Sequence, residues 1–191
     1  MIREEIILER VRGKKVLDIG SVGQSDEYCL WEMLKKNTRS LTGVDLPNAT
    51  AVLADKFNVS PEGYEHSQDD KIVYANMETV DLGDKYEVAV AGDVIEHVSN
   101  PGLFLDNIKK HLDESGELII TTPNAKWLTV LFKPNATHTL WHDIYTLKTL
   151  LERHGYKITY WRYYVGNKPH YSFLKRLLAW RQQILVVAKP M

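Results

Sequence analysis

The chain has 191 residues, 44% hydrophobic and 26% charged, which is ordinary for a globular protein and enough for one substantial core. A formal net charge of −1 gives no global attraction to nucleic acid or to an anionic membrane. Cys29 stands alone and cannot close an internal disulfide; with no spanning apolar stretch and no signal peptide at Met1-Ile2-Arg3-Glu4-Glu5, a cytoplasmic protein is the expectation.

Strands and helices alternate along the sequence. Ile2, Ile6, Ile7 and Val11 recur among charges at helical spacing, which predicts a short amphipathic helix over residues 2–12. An apolar strand follows at 15–19. Ser25 before Asp26 and Glu27 reads as a helix start with acids in its positive first turn, and that helix runs through Leu30, Trp31 and Leu34 to about Asn37. A second strand covers 40–45, and residues 47–70, with Pro47, Asn48, Pro61 and Gly63, form an irregular excursion. Strands are expected at 72–75 and 86–91, then a helix over 101–112 capped by Asn100 with Pro101 in its first position. Asp113-Glu114-Ser115-Gly116 is a predicted turn before a strand at 117–121. A helix at 146–154 closes on Gly155, and strands at 156–163 and 184–188 flank a helix at 172–180. The pattern calls for a single α/β domain over residues 1–191, with a mostly parallel seven-stranded sheet and an antiparallel final pair.

Chemistry concentrates where two of these strands end. Val16-Leu17-Asp18-Ile19-Gly20-Ser21-Val22-Gly23 is an apolar run closing in an acid and a glycine-bearing turn, and Thr42-Gly43-Val44-Asp45 closes in a second acid. Open α/β sheets bind ligands outside the carboxyl ends of their strands, and an acid ending the second strand can take both hydroxyls of a ribose. Asp18, beside the turn, would repel a pyrophosphate but suits an ammonium or sulfonium charge. The third glycine of G-x-G-x-x-G is also missing. An adenosine joined to a cationic amino acid fits this site better than a nicotinamide dinucleotide.

With those strand ends, further segments complete a resemblance to the class I S-adenosylmethionine-dependent methyltransferases, over nearly the whole chain. Residues 16–25 resemble the first cofactor motif, and Gly43-Val44-Asp45 the ribose-binding strand. Ala75-Asn76-Met77-Glu78 resembles the segment that holds the adenine. Residues 89–101, reading AVAGDVIEHVSNP, resemble the fourth motif of the small-molecule branch that includes ubiquinone-biosynthesis methyltransferases, and GELIITTPN at 116–124 its fifth strand and following loop. The first turn departs from acid-x-Gly-x-Gly-x-Gly, having fewer glycines and a shifted second one. The resemblance implies a Rossmann-like three-layer sandwich and S-adenosyl-L-methionine as cofactor. It puts Asp18, Gly20, Ser21 and Gly23 around the turn and the methionine end, and Asp45 and Leu46 at the ribose. Asn76, Met77 and Glu78 fall at the adenine, where the Asn76 side-chain carbonyl replaces the family's usual Asp in accepting from the amino group. Gly92 and Asp93 then lie where the backbone passes the sulfonium. Glu96 and His97 read either as a surface pair or, by resemblance, with His97 in the active-site wall.

Residues 125–145 carry Trp127, Phe132, His138, Trp141, His142 and Tyr145, and in related enzymes this insertion roofs the acceptor pocket. His138 and His142 would share one face of a helix; joined only by Asp143, they lack a further ligand cluster, and no metal is expected. Methyl transfer from a sulfonium is an in-line displacement with a neutral leaving group, so a base is wanted mainly for an alcohol. His142, His138, His97 and Asp93 are the candidates, in that order. The expected activity is O-methylation of a small-molecule or lipid- or sugar-linked acceptor, without nucleic acid as a partner. A noncatalytic cofactor-binding subunit that activates a partner is the alternative, favoured by the unusual turn. Residues 168–181 form an expected basic amphipathic helix, which either packs on the core or meets a second copy, a partner or an anionic membrane.

Overall fold

Val16, Leu17 and Ile19 in one run, interrupted only by Asp18, and Val88, Ala89, Val90 and Ala91 in another put apolar side chains on both faces, so both runs must be covered on two sides. They become the centre of a seven-stranded sheet. The computed structural model describes residues 3–22, 30–47, 70–127, 135–164 and 181–191. In chain order the elements are α1 (Arg3–Val11), β1 (Lys15–Ile19), α2 (Leu30–Asn37), β2 (Ser40–Asp45), β3 (Asp70–Tyr74), β4 (Tyr86–Gly92), α3 (Pro101–His111), β5 (Leu112–Pro123), α4 (Ile144–Arg153), β6 (Tyr156–Tyr164) and β7 (Gln183–Pro190). The strand order is β3-β2-β1-β4-β5-β7-β6. Pairings are parallel from β3 through β5, and β7 runs antiparallel between β5 and β6.

Successive side chains on a strand point to opposite faces, and here each face finds its own helices. Leu17, Ile19, Ala89, Ala91 and Leu118 pack with Phe104, Leu105 and Ile108 of α3 and with Leu147 and Leu151 of α4. Val16, Val88, Val90 and Ile119 pack with Ile6 and Ile7 of α1 and with Leu30 and Trp31 of α2. This is the expected three-layer, Rossmann-like sandwich. The order reverses between β1 and β4, and the crevice outside their carboxyl ends is the switch point at which such sheets bind ligands.

Most strand and helix ends shift by one or two residues from expectation, and two shifts have clear local reasons. β5 begins at Leu112, because Leu112 pairs with Tyr86 and Glu117 with Val88; residues 113–116, expected as a turn, bulge opposite Glu87 alone. α4 begins at Ile144 because Asp143 closes a capping box: its side chain accepts from the N–H of Tyr145 and Thr146, and the Thr146 hydroxyl accepts the Asp143 N–H. The expected helix start at Ser25, Phe132, most of the 47–70 excursion and nearly all of the basic helix lie outside the described residues. Among the described residues no helix is long and apolar enough to cross a membrane.

Candidate active site

The turn after β1 is stitched to the end of β2. Gly20 has φ 76° and donates its N–H to Val44 O at 2.8 Å. Asp45 accepts the Val22 N–H at 2.7 Å through Oδ2 and the Leu46 N–H at 2.8 Å through Oδ1. A Cβ on Gly20 would stand 2.5 Å from Val94 Cγ2, so the bare α-carbon lets the turn close against the loop after β4. Gly20→Ala combines a left-handed backbone costing about 1–2 kcal/mol with that collision, and should lower the thermal unfolding midpoint. An unchanged midpoint would show that Val94 and the turn can move apart without loss.

Asp18 shares the sheet face of Val16 and is 1% exposed. Its Oδ2 has no hydrogen-bond partner among the described residues, and neither has the buried hydroxyl of Ser21. Burial, then the charge of Asp45, pushes the Asp18 carboxyl up to about 8, with the Arg3 guanidinium pulling the other way. Burial also raises Asp45, against the two backbone donors that favour its charged form. Asp18 therefore carries a proton at neutral pH until a cation is brought beside it.

The loop after β4 is the most constrained part of the site. Asp93 adopts φ 57°, the sole left-handed non-glycine among the described residues. Its N–H bonds Thr121 O at 3.0 Å, its Oδ1 accepts the Thr121 hydroxyl at 3.3 Å, and its Oδ2 accepts Arg3 Nη1 at 3.0 Å. Arg3 was not anticipated; its one sequence signal is a cation at the start of a helix that the topology brings to this edge. A Cβ on Gly92 would lie 2.6 Å from Arg3 Nη2, so here the missing side chain makes room for the guanidinium.

At the opposite end, Asn76 Oδ1 accepts the Glu78 N–H at 2.9 Å in a local turn. The Glu78 carboxylate accepts the N–H groups of Ser99 and Asn100 at 2.8 and 3.1 Å, bracing the approach to α3. Met77 is 4% exposed and packs in the core, while its carbonyl accepts Asn107 Nδ2 at 3.0 Å. A cleft of about 410 Å³ runs between these groups, with Gly20, Asp45 and Leu46 along one side and Gly92, Asp93 and His97 toward its far end. Gly23 lies outside the described residues.

Of the three candidate histidines, the fold brings two together. His97 Nδ1 faces Thr137 O at 3.0 Å; a carbonyl only accepts, so Nδ1 carries a proton and the lone pair of the neutral ring is at Nε2. The His138 ring meets His97 edge-on at 4.8 Å and Trp141 at 5.1 Å. Burial, then His97, lowers the His138 pKa, keeping the ring neutral. Glu96, read from sequence as one of a surface pair, is 2% exposed and accepts the Thr122 hydroxyl at 3.0 Å. Burial, then Asp93, pushes it up to about 8. One donor atom each from Glu96, His97 and His138 lie within 4.8 Å of one another, too far for a direct hydrogen bond but close enough to surround a single water or cation. His142 stands apart from the cleft lining: its carbonyl accepts the Ala125 N–H at 2.8 Å, burial lowers its pKa, and its buried Nε2 has no partner among the described residues.

Residues 2–173 match the family described as methyltransferase domain, and the chain belongs to that family. A ubiquinone biosynthesis O-methyltransferase of Rhodopseudomonas palustris (strain TIE-1) is 28% identical over 122 residues, 63% of this chain and 44% of the relative. That of Rickettsia prowazekii is 30% identical over 141 residues, 69% of this chain and 51% of the relative. The chain spans about half the length of these curated relatives. A crystal structure of an S-adenosylmethionine-dependent methyltransferase from Mesorhizobium loti superposes with a TM-score of 0.71 at 14% identity, covering 97% of this chain and 95% of that one. Burkholderia thailandensis 1,6-didemethyltoxoflavin-N1-methyltransferase, solved with 1,6-didemethyltoxoflavin and S-adenosylhomocysteine, gives 0.67 at 16% identity, covering 98% and 76%. The resemblance read from the motifs therefore holds for the family and for the fold.

Proposed function

We propose that this chain transfers a methyl group from S-adenosylmethionine to a hydroxyl of a small-molecule or lipid- or sugar-linked acceptor, in the cytoplasm. Asp18 carries the reading: a fully buried acid with an unsatisfied oxygen stands at the switch point, behind the Ile19–Gly20 lining of the cleft and not in it, where its charge suits a cation in the cleft and disfavours the phosphates of a dinucleotide. When bound, the cofactor supplies a methyl group activated by a positive sulfur. The residues fit it. Asp45 has lone pairs left beyond its two backbone donors for the ribose hydroxyls, and the segment from Asn76 to Glu78 borders the place for adenine. Asp18 suits the ammonium and Arg3 the carboxylate of the methionine end.

On the acceptor side the chain's own part is to align a hydroxyl and receive its proton. His97 is the best-oriented base, since its Nδ1–H is anchored on Thr137 O and it lines the cleft. His138 and Glu96 stand beside it, one donor atom of each within 4.8 Å, a span that a bridging water can link. The hydroxyl class is supported by the names of the curated relatives, which are O-methyltransferases.

Binding of S-adenosylhomocysteine tests the reading, because its ammonium favours the charged form of Asp18. In the free protein Asp18 is protonated below about 8. Binding at pH 7 should then release about one proton, and affinity should rise with pH toward 8. Calorimetry in buffers of different ionisation heat measures this, and Asp18→Asn should abolish the release. Absence of binding in the unaltered chain would end the proposal. Transfer of labelled methyl to a panel of phenols and alcohols then tests catalysis.

A further inference from the structure

Asp93 has a third support that the sequence did not announce. Gln183 opens β7, two strands from β4, and pairs in register with Pro123 at the carboxyl end of β5. With its amide nitrogen turned inward, its side chain reaches over the end of β5 and donates to Asp93 Oδ1 at 3.3 Å and to Thr122 O at 3.2 Å. The opposite orientation would set the Gln183 oxygen against those two acceptors. We propose that Gln183 is a positioning residue for the methyl-donor end of the site, acting through the Asp93 carboxylate.

The argument begins with the backbone. A residue with a β-carbon held left-handed persists only where its surroundings over-determine it. Asp93 is held by its main chain and hydroxyl contacts to Thr121, by Arg3 on Oδ2 and by Gln183 on Oδ1. These come from β5, α1 and β7, so the loop after β4 is clamped by elements remote in sequence. Arg3 holds Oδ2 alone, whereas Oδ1 is shared by the Thr121 hydroxyl from β5 and the Gln183 amide from β7, so Gln183 is the second donor that pins the oxygen facing away from Arg3. A neutral donor suits the place: it locks the orientation while leaving the negative charge of Asp93 to face a cation. This inference rests on the proposed reading in one respect, that the Gly92–Asp93 turn borders the sulfonium.

A charge displaced near the sulfonium is felt by S-adenosylmethionine and not by S-adenosylhomocysteine, which lacks the methyl and the positive sulfur. In the full chain, Gln183→Met should leave the Kd for S-adenosylhomocysteine within about twofold and weaken S-adenosylmethionine about tenfold, the scale of a lost hydrogen bond to a charged group. Thr121→Val, which loosens the same Asp93 oxygen from β5, should shift the ratio of the two affinities in the same direction, and the double variant by less than the product. Calorimetry with both ligands reads the ratio without any acceptor, and thermal unfolding of each variant is measured alongside. An unchanged ratio in Gln183→Met overturns the inference, as does an equal loss for both ligands, which would make Gln183 a general prop. If Gln183→Met does not fold, an unchanged ratio in Thr121→Val overturns it instead. Failure of the unaltered chain to bind S-adenosylhomocysteine strikes the functional reading and is seen separately.

Discussion

His97→Ala should lower turnover on a hydroxyl acceptor by about a hundredfold, the usual scale for a general base, and leave S-adenosylhomocysteine affinity nearly unchanged. The orientation explains the size. Thr137 O fixes a proton on Nδ1, so the neutral ring presents its lone pair at Nε2 without a tautomer to select. His138→Ala should cost less, because its ring buttresses His97 edge-on without being hydrogen-bonded to it. His142→Ala separates the sequence-based order from the geometric one: it lies off the cleft lining, and its main chain ties residues 124 and 125 to the segment before α4. A hundredfold loss in His142→Ala, with cofactor binding intact and His97→Ala unaffected, would move the base to His142. The measurement is single-turnover methyl transfer, so that binding and chemistry are read apart.

Asp45→Ala should weaken S-adenosylhomocysteine by about 1.5–3 kcal/mol, the range for hydrogen bonds to a charged partner. The upper end is expected, since the same carboxylate holds the N–H groups of Val22 and Leu46 and so shapes the turn it faces. A second effect accompanies the first. Asp45 is the second cause of the raised Asp18 pKa, so its removal brings Asp18 down and makes the proton release on binding smaller at pH 7. Calorimetry reports both. Unchanged affinity would remove Asp45 from the ribose site, and an unchanged proton release would show that the two acids do not sense each other.

Most of the architecture was legible because the strands are written as short apolar runs with clear ends. β1 and β2 match their expected bounds to the residue, β1 ending at Ile19 just before the Gly20 turn and β2 ending on Asp45. The bulge in β5 was not legible: Asp113-Glu114-Ser115-Gly116 carries every local signal of a turn, and only pairing with β4 on both sides of Glu87 draws it into the strand. The two strand-end acids could be read from sequence because topology alone brings them to the crevice. Arg3, Thr121, Thr122 and Gln183 could not, since each lies in an ordinary local setting and acquires meaning from a contact made across the fold. Glu96 is the sharpest case. In sequence it is a charge beside a histidine; in the structure it is buried against Thr122, with a carboxyl that prefers its proton.

The placement of β7 has a consequence for how the protein is made. β6 pairs with β7 and with no other described strand, and β7 follows it in the sequence yet lies between it and β5. During synthesis β6 therefore emerges before the strand that attaches it to the sheet exists, and β5 keeps an open edge over the same interval. The parallel half from β1 to β5 can assemble first, with its last strand exposed to other nascent chains, until β7 inserts and closes both edges at once. Gln183, Val186 and Val187 arrive together in that step, so the final fixing of Asp93 and the sealing of the core become the same late event.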